Sequence, residues 1–156
     1  MVAERGSGTV LASFGRGALV KAGEAILRCG LLGRKLRVVC GDQVVWVHAS
    51  SADGPSIESV APRRNLIERI DARGRAEAVA ANIDRLAIVA ACEPAPDWFL
   101  VDRYWAGAAL KDLDAVLIVN KKDLGLGVIE AQLEEYRKLN LQCVEVSSQS
   151  DRKSVV

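Results

Sequence analysis

The sequence predicts two successive units of different fold class, a small antiparallel β barrel and then an α/β unit with a parallel sheet. Up to about residue 61, short strand-like runs are separated by turn signals about every 8–12 residues, which is typical of a barrel or sandwich. After about residue 82, apolar runs alternate with helical stretches, as in a doubly wound sheet. Only 4% of the residues are aromatic, which suits a core of valine, alanine and leucine.

The number of predicted strands selects the type of barrel. Five or so strands within about 60 residues favour the five-stranded OB-fold over a seven-stranded sandwich. The Gly41-Asp42 turn suits the connection between two of them. We predict strands at residues 8–14, 18–21, 25–29, 34–40, 43–49 and 56–61. We assign residues 1–70 to this barrel and the polar, alanine-rich segment 71–81, which lacks strand periodicity, to a linker.

Residues 82–156 carry the pattern of the α/β unit. The nearly unbroken apolar run 83–91 predicts a strand that is buried on both faces. Asp97 suits the N-cap of the first helix. In order along the chain, we predict a strand at 83–91, a helix at 98–110, a strand at 114–119, a helix at 127–139 and a strand at 141–146. This alternation predicts a parallel sheet.

Charge is distributed unevenly between the two halves of the chain. Residues 1–75 hold 12 Lys and Arg against 7 Asp and Glu, a net charge of +5. Residues 76–156 hold 9 against 13, a net charge of −4. The first half is therefore better suited than the second to bind a polyanion.

Several classes of protein are disfavoured by simple counts. No apolar run approaches the ~18 residues of a membrane span, so we expect no membrane partner. Met1–Gly6 lacks the hydrophobic core of an export signal, which predicts a cytoplasmic protein. The four cysteines lie far apart without a Cys-x-x-Cys pair, which favours reduced thiols over disulfides or a metal site.

Two polar loops follow neighbouring strands of the predicted sheet. Asn120-Lys121-Lys122-Asp123-Leu124 comes directly after the strand 114–119, at the strand end where open parallel sheets bind ligands. A carboxylate can accept hydrogen bonds from both N1–H and the 2-amino group of guanine, and adenine offers no such pair. One strand later, Ser147-Ser148 places small residues where a backbone N–H can approach the base carbonyl. The two loops predict a guanine-binding site.

A cluster of cations in the first half supplies a second candidate site. Arg34, Lys35 and Arg37 lie on the predicted strand 34–40, with no aromatic residue between them. A surface that contacts RNA phosphates and an ordinary solvated strand face are both compatible with this pattern.

These motifs occur together in a known family. The matching segments are Cys29 with Gly33–Arg37, Gly41–Val44, Pro62–Leu66, Ala81–Asp84, Asp102–Tyr104 and Asn120–Leu124. The chain resembles the amino-terminal part of the ribosome small-subunit-dependent GTPase A family (RsgA, also called YjeQ), the circularly permuted GTPases. The resemblance covers nearly everything between about Gly8 and Ser148.

The resemblance implies a fold and a function. The fold is an OB-fold followed by an incomplete Rossmann-like GTPase domain, in which the base-recognition motifs precede the phosphate-binding loop. The function is GTP hydrolysis in late maturation of the small ribosomal subunit, with the OB-fold binding rRNA. GTP is the implied substrate, and Mg²⁺ and a structural Zn²⁺ are implied only for the intact protein. The family's two base motifs match Asn120, Lys121 and Asp123 in the first loop and Ser147 and Ser148 in the second, where Gln149 replaces the usual lysine.

One motif of the family is absent from the sequence. No Gly-x-x-x-x-Gly-Lys-Ser/Thr occurs, so the chain carries no phosphate cradle and we assign no catalytic residue. We therefore interpret the chain as a truncation that does not hydrolyse GTP by itself. Its unpaired sheet edge predicts either a dimer or poor order beyond about residue 80. The alternative function is that of a non-enzymatic RNA-binding protein whose half GTPase domain serves as a scaffold. An oxidoreductase would need a glycine fingerprint after the strand 83–91, and the sequence has none.

Overall fold

The structure is a computed structural model that describes residues 4–48 and 54–150. It divides into two compact units, Met1–Ile83 and Asp84–Val156, which are described separately.

Five strands of the first unit form a closed barrel in the order β1-β2-β3-β5-β4. They are β1 (Glu4–Phe14), β2 (Gly17–Ala22), β3 (Ala25–Leu31), β4 (Gln43–His48) and β5 (Ser56–Val60). All neighbours are antiparallel except β3 and β5, which pair in parallel through two residues of each strand. Because side chains alternate across a strand, one set points inward, and Val10, Val20 and Ile57 are almost fully buried in the barrel core. The predicted OB-like barrel is confirmed.

The prediction of a strand at 34–40 is wrong. Residues 32–39 form an irregular loop, and within this segment only Cys40 makes a single β-bridge. The Arg37 guanidinium donates to the carbonyls of Arg34 (2.9 Å) and Leu36 (3.1 Å), which folds the loop on itself. The barrel closes by pairing β3 with β5, so the loop has no barrel strand edge to join. Val38 is buried in the barrel core, which explains why the segment is apolar enough to resemble a strand.

The prediction of a linker at 71–81 is also wrong. β6 (Leu66–Ile70) and β7 (Ala76–Ala81) form an antiparallel hairpin, joined by a turn in which the Asp71 carboxylate accepts from the backbone N–H groups of Arg73 and Arg75. These hydrogen bonds lower the pKa of Asp71. Alanine has low strand propensity, so β7 forms because β6 supplies its hydrogen-bonding partners.

Gly41 is the point where this hairpin contacts the barrel. Its φ is +88°, and a Cβ at this position would lie 2.0 Å from the carbonyl oxygen of Ala81. The Asn82 amide donates to the Gly41 carbonyl at 2.9 Å, while Asn65 pairs with the backbone of Ile83 through both of its side-chain polar atoms. Asn65 and the segment 81–83 therefore join the hairpin to the barrel, and the first unit extends beyond the predicted boundary at residue 70.

The second unit is a three-stranded parallel sheet in the order β10-β9-β8. Its elements are β8 (Arg85–Ala91), α1 (Trp98–Ala109), β9 (Asp114–Asn120), α2 (Glu130–Lys138) and β10 (Cys143–Glu145). Asp97 is the N-cap of α1, as predicted, and its side chain accepts from the backbone N–H of Leu100. The predicted α/β order is confirmed, with elements that differ from the predicted ones by up to three residues at their ends.

Both helices contribute to one hydrophobic core. Leu117 and Val119 of β9 share this core with Val101 of α1 and Leu133 of α2. The Tyr136 ring of α2 packs against two tryptophans of α1, and its hydroxyl donates to Asp102 at 2.6 Å. The carboxyl ends of the three strands thus lie at one edge of the sheet. No helix among the described residues is long and apolar enough to cross a membrane.

Candidate functional site

The two predicted base loops leave adjacent parallel strands and are hydrogen-bonded to each other. The Val146 N–H donates to the Val119 carbonyl at 2.8 Å, which extends the β9–β10 pairing into the second loop. The Lys122 N–H then donates back to the Val146 carbonyl at 3.2 Å. The backbone therefore holds the Asn120–Asp123 loop and the Ser147–Ser148 loop together without help from a ligand.

Asn120 links the two loops through its side chain. Its Oδ1 accepts from the backbone N–H of Lys121 (2.8 Å) and of Ser148 (3.1 Å), and its Nδ2 lies 3.1 Å from Ser148 Oγ. An amide can do this because it carries a donor and an acceptor side by side. Asn120 is half-buried, so its first role in this arrangement is to set the loop geometry.

Asp123 and Ser147 form the most specific contact between the loops. The fully buried Ser147 hydroxyl donates to Oδ1 of the exposed Asp123 carboxylate. Ser147 Oγ also accepts from the Ser150 N–H at 3.2 Å, which fixes the hydroxyl orientation. Asp123 itself lies in a short 3₁₀ turn, Lys122–Leu124. The carboxylate is consequently presented to solvent in a defined orientation, as recognition of two adjacent donors requires.

Lys121 extends the site toward the end of β8. Its backbone is left-handed, with φ of +62°, and its ammonium group donates to the Glu93 carbonyl at 2.8 Å. The Cys92 thiol lies 3.6 Å and 3.5 Å from the carbonyls of Asn120 and Lys121. Sequence reasoning missed Cys92 and Glu93 as site residues, and their position directly after the first predicted strand of the sheet is the signal that could have indicated them. Lys122, in the same loop, is exposed.

The structure places Arg34, Lys35 and Arg37 on the exposed loop that replaces the predicted strand. Arg34 and Arg37 line a cleft of about 320 Å³ together with Arg16, which belongs to the turn between β1 and β2. Sequence reasoning missed Arg16 because it lies some 20 residues from the other cations. The barrel closure brings these cations together.

The cysteines and carboxylates show no metal-binding arrangement in the part of the chain that the structure describes. Within residues 4–48 and 54–150, no group of three or more His, Cys, Asp or Glu side chains could hold a metal ion. The four cysteines are unpaired thiols. Burial raises the pKa of Cys29 in the barrel core and of Cys143 in β10.

A family model decides the relationship. The model of the RsgA GTPase family matches residues 60–155, which include both base loops. The chain belongs to the RsgA GTPase family. The resemblance drawn from the sequence motifs is confirmed.

Individual relatives agree with this assignment. A protein of Bordetella pertussis (strain Tohama I) is 38% identical over 152 residues, covering 96% of this chain and 50% of the relative. A protein of Pseudomonas aeruginosa (strain LESB58) is 37% identical over 147 residues, covering 91% of this chain and 43% of the relative. Both are named small ribosomal subunit biogenesis GTPase RsgA. The chain spans about half the length of these relatives.

A solved structure shows the same fold. The crystal structure of YjeQ from Thermotoga maritima superposes with a TM-score of 0.68 at 24% sequence identity, covering 94% of this chain and 53% of that one.

Proposed function

We propose that the RsgA protein represented by this chain binds and hydrolyses GTP during biogenesis of the small ribosomal subunit, and that its second unit reads the guanine base. The hydrogen bond from the Ser147 hydroxyl to the exposed Asp123 carboxylate carries this proposal. It joins two loops whose bonded residues lie 24 positions apart in the sequence. The names of the relatives in Bordetella and Pseudomonas support the biological setting.

Each residue of the site has a distinct role in the proposed recognition. Asp123 accepts hydrogen bonds from guanine N1–H and the 2-amino group, and Ser147 holds the carboxylate in the plane of the base. Asn120 keeps the two loops in register. The alkyl chain of Lys121, which reaches toward Glu93, lies along one face of the base. Lys122 and Ser148 flank the site.

The phosphates and the metal belong to another part of the protein in this proposal. The 156 residues contain no Gly-x-x-x-x-Gly-Lys-Ser/Thr segment. The family implies Mg²⁺ with the nucleotide, and a structural Zn²⁺, but the described residues offer no ligand group for either ion. No step assigned to this chain therefore runs through a metal, and we expect the chain alone to bind guanine nucleotides weakly without hydrolysing GTP.

The base specificity is tested by Asp123→Asn. Xanthine carries a carbonyl in place of the 2-amino group of guanine, so an asparagine amide complements xanthine and mismatches guanine. Losing the charge-assisted pair costs about 2–3 kcal/mol, roughly a 30- to 150-fold loss of guanosine diphosphate affinity, with a gain for xanthosine diphosphate. Both diphosphates are titrated against a version of the chain extended through the phosphate-binding segment.

A matched control for this experiment is Asp112→Asn, which neutralises an exposed carboxylate between α1 and β9. The control should leave both affinities unchanged. If Asp123→Asn also leaves the guanine-to-xanthine preference unchanged, the Asn120–Asp123 loop does not read the base and the GTPase proposal loses its structural basis.

We further propose that the first unit binds rRNA through the loop that carries Arg34, Lys35 and Arg37. Its support is the +5 charge of residues 1–75 and the convergence of Arg16 with this loop. Replacing all three loop cations with alanine should weaken small-subunit binding. It should also flatten the slope of log affinity against log salt concentration by an amount that corresponds to the loss of up to about three phosphate contacts. A control removes three cations from the β6–β7 hairpin: Arg69, Arg73 and Arg75. An unchanged salt slope in the loop variant would assign these charges to solubility alone.

A further inference from the structure

An exposed aromatic ring lies beside an arginine at one end of the barrel. Phe14 is the last residue of β1 and is 41% exposed, although aromatic side chains are scarce in this chain. The Arg28 guanidinium of β3 lies 5.2 Å from the centre of the Phe14 ring, within the range of a cation–π contact. We call Phe14 and Arg28 together the aromatic shelf.

Glycine at position 17 makes room for the aromatic shelf. Phe14 pairs with Gly17 across β1 and β2, and a Cβ at Gly17 would lie 3.1 Å from the Phe14 ring. The ring therefore lies over a strand position that has no side chain of its own. This arrangement keeps the ring on the outer surface of the barrel instead of in its core.

The aromatic shelf lines a cleft that adjoins the proposed RNA-binding loop. The cleft has a volume of about 420 Å³ and is bounded by Phe14, Arg28, Arg16 and Pro55. Arg16 also lines the cleft of Arg34 and Arg37, so the aromatic shelf and the loop cations share one wall. Basic residues and an exposed ring are thus continuous over this end of the barrel.

Ion pairing distinguishes these arginines from several others of the first unit. Four arginines elsewhere in the described part of this unit each pair with a carboxylate: Arg5, Arg63, Arg69 and Arg75. In the same described ranges, no ion pair to a carboxylate involves Arg16, Arg28, Arg34 or Arg37. The positive charge at this end is therefore available to an anionic ligand.

We propose that the aromatic shelf binds one unpaired RNA base, which stacks on the Phe14–Arg28 pair while Arg16 contacts an adjoining phosphate. Aromatic rings and guanidinium planes both stack on bases, and the faces of bases are accessible only where the RNA is single-stranded. OB-folds in general bind oligonucleotides on the outer face of their second and third strands and at the loop between the first and second. In this chain, Arg28 lies in β3 and Arg16 lies between β1 and β2. This inference rests on the proposed RNA binding of the first unit and adds a preference for unpaired nucleotides.

The test compares single-stranded and duplex RNA on the full chain. A fluorescein-labelled 12-nucleotide single strand and a hairpin duplex of equal length are titrated, and binding is followed by fluorescence anisotropy. Phe14→Leu should weaken single-strand binding at least about 5-fold, because stacking on one base is lost, and should leave duplex binding unchanged. The salt dependence should stay the same, since no charge is removed.

Two further variants keep the result interpretable. Phe14→Trp retains a stacking surface and should restore single-strand affinity to within about 2-fold of the parent. Ile70→Ala removes a more exposed apolar side chain, at 69% against 41% for Phe14, from the β6–β7 hairpin and should have no effect. Thermal unfolding of each variant checks that the barrel is folded.

The outcomes separate this inference from the proposed function. If the alanine variant of Arg34, Lys35 and Arg37 loses RNA binding while Phe14→Leu does not, the stacking proposal is wrong and the RNA-binding proposal stands. Equal losses for single-stranded and duplex RNA would also overturn stacking. If Phe14→Leu impairs binding to the assembled small subunit but not to the oligonucleotides, the aromatic shelf contacts a ribosomal protein and the base-stacking assignment is wrong.

Discussion

The buried ion pair of Arg63 and Asp42 stabilises the first unit. Asp42 is fully buried, and its carboxylate accepts from Arg63 Nε at 2.7 Å, from a terminal nitrogen of Arg63 at 2.9 Å and from the Val39 N–H at 2.8 Å. The hydrogen bond to Asp42 raises the pKa of Arg63, so the guanidinium stays positively charged. The bidentate geometry joins the segment 62–65 to the turn before β4.

Arg63→Ala should destabilise the barrel by about 2–4 kcal/mol. Removing one partner of a buried ion pair costs about 3–5 kcal/mol, because the remaining charge is left without compensation. The Arg63 side chain is 27% exposed, so water can reach the vacated side of the carboxylate, and we lower the expected cost to about 2–4 kcal/mol.

The exposed pair Arg5–Glu58 is the matched control. It has the same 2.7 Å separation with side chains 64% and 39% exposed, so Arg5→Ala should cost less than about 1 kcal/mol.

Native-state hydrogen exchange measures this loss within the first unit. The Val10 N–H donates to the Asp42 carbonyl and the Gly41 N–H donates to the Val10 carbonyl, so these two amides report opening beside the ion pair. The Leu117 N–H, in β9, serves as the reference in the second unit. The reasoning would be refuted if Arg63→Ala lowered the free energy of opening at Val10 and Gly41 by less than about 1 kcal/mol. An equally large loss at Leu117 would refute it too.

Three other predictions follow from the second unit and the missing motif. The chain alone should release no phosphate from GTP above the buffer rate, and measurable turnover would show that the phosphate-handling groups were misjudged. Tyr136→Phe should destabilise the second unit by about 1–2 kcal/mol through loss of the bond to Asp102. Burial raises the pKa of Tyr136, so the unfolded tyrosine ionises first, and the parent chain should lose stability as pH rises above about 10. Chemical denaturation across pH 8–11 tests whether the free energy of unfolding falls less steeply with pH in Tyr136→Phe than in the parent. β8 is a sheet edge on which Val89 is 69% exposed, so the chain should self-associate or fray there, and Val89→Lys should reduce any association seen by sedimentation; a monomer with fully protected β8 amides would contradict this.

Local signals were sufficient for much of the second unit. Asp97 precedes an apolar helical pattern and caps α1, because an N-cap depends only on residues within one turn. The strand β9 was recognisable because a strand that is buried on both faces must be apolar throughout. β8 is as apolar and was recognised in the same way, but the prediction that both of its faces are buried is wrong, because β8 lies at the sheet edge and Val89 is 69% exposed. The position of the Asn120–Asp123 loop followed directly, since a loop after a parallel strand must lie at the sheet's carboxyl edge.

Local signals failed where pairing partners decide the structure. The segment 34–40 has the composition of a strand, but the barrel closes by joining β3 to β5 and leaves it as a loop. The opposite error occurred at Ala76–Ala81, whose alanines lack strand character and which became β7 because β6 lies beside it.

The sequence by itself determined the two fold classes, the strand–helix alternation and the types of side chain available for reading guanine, because these depend on periodicity and on residues adjacent in the chain. Only the tertiary structure decided that Ser147 orients Asp123, that Asn120 links the two loops, and that Phe14, Arg16 and Arg28 lie together with the Arg34–Arg37 loop. These contacts join residues that are distant along the chain, and sheet register and barrel closure, which no local pattern encodes, bring them within hydrogen-bonding or packing distance.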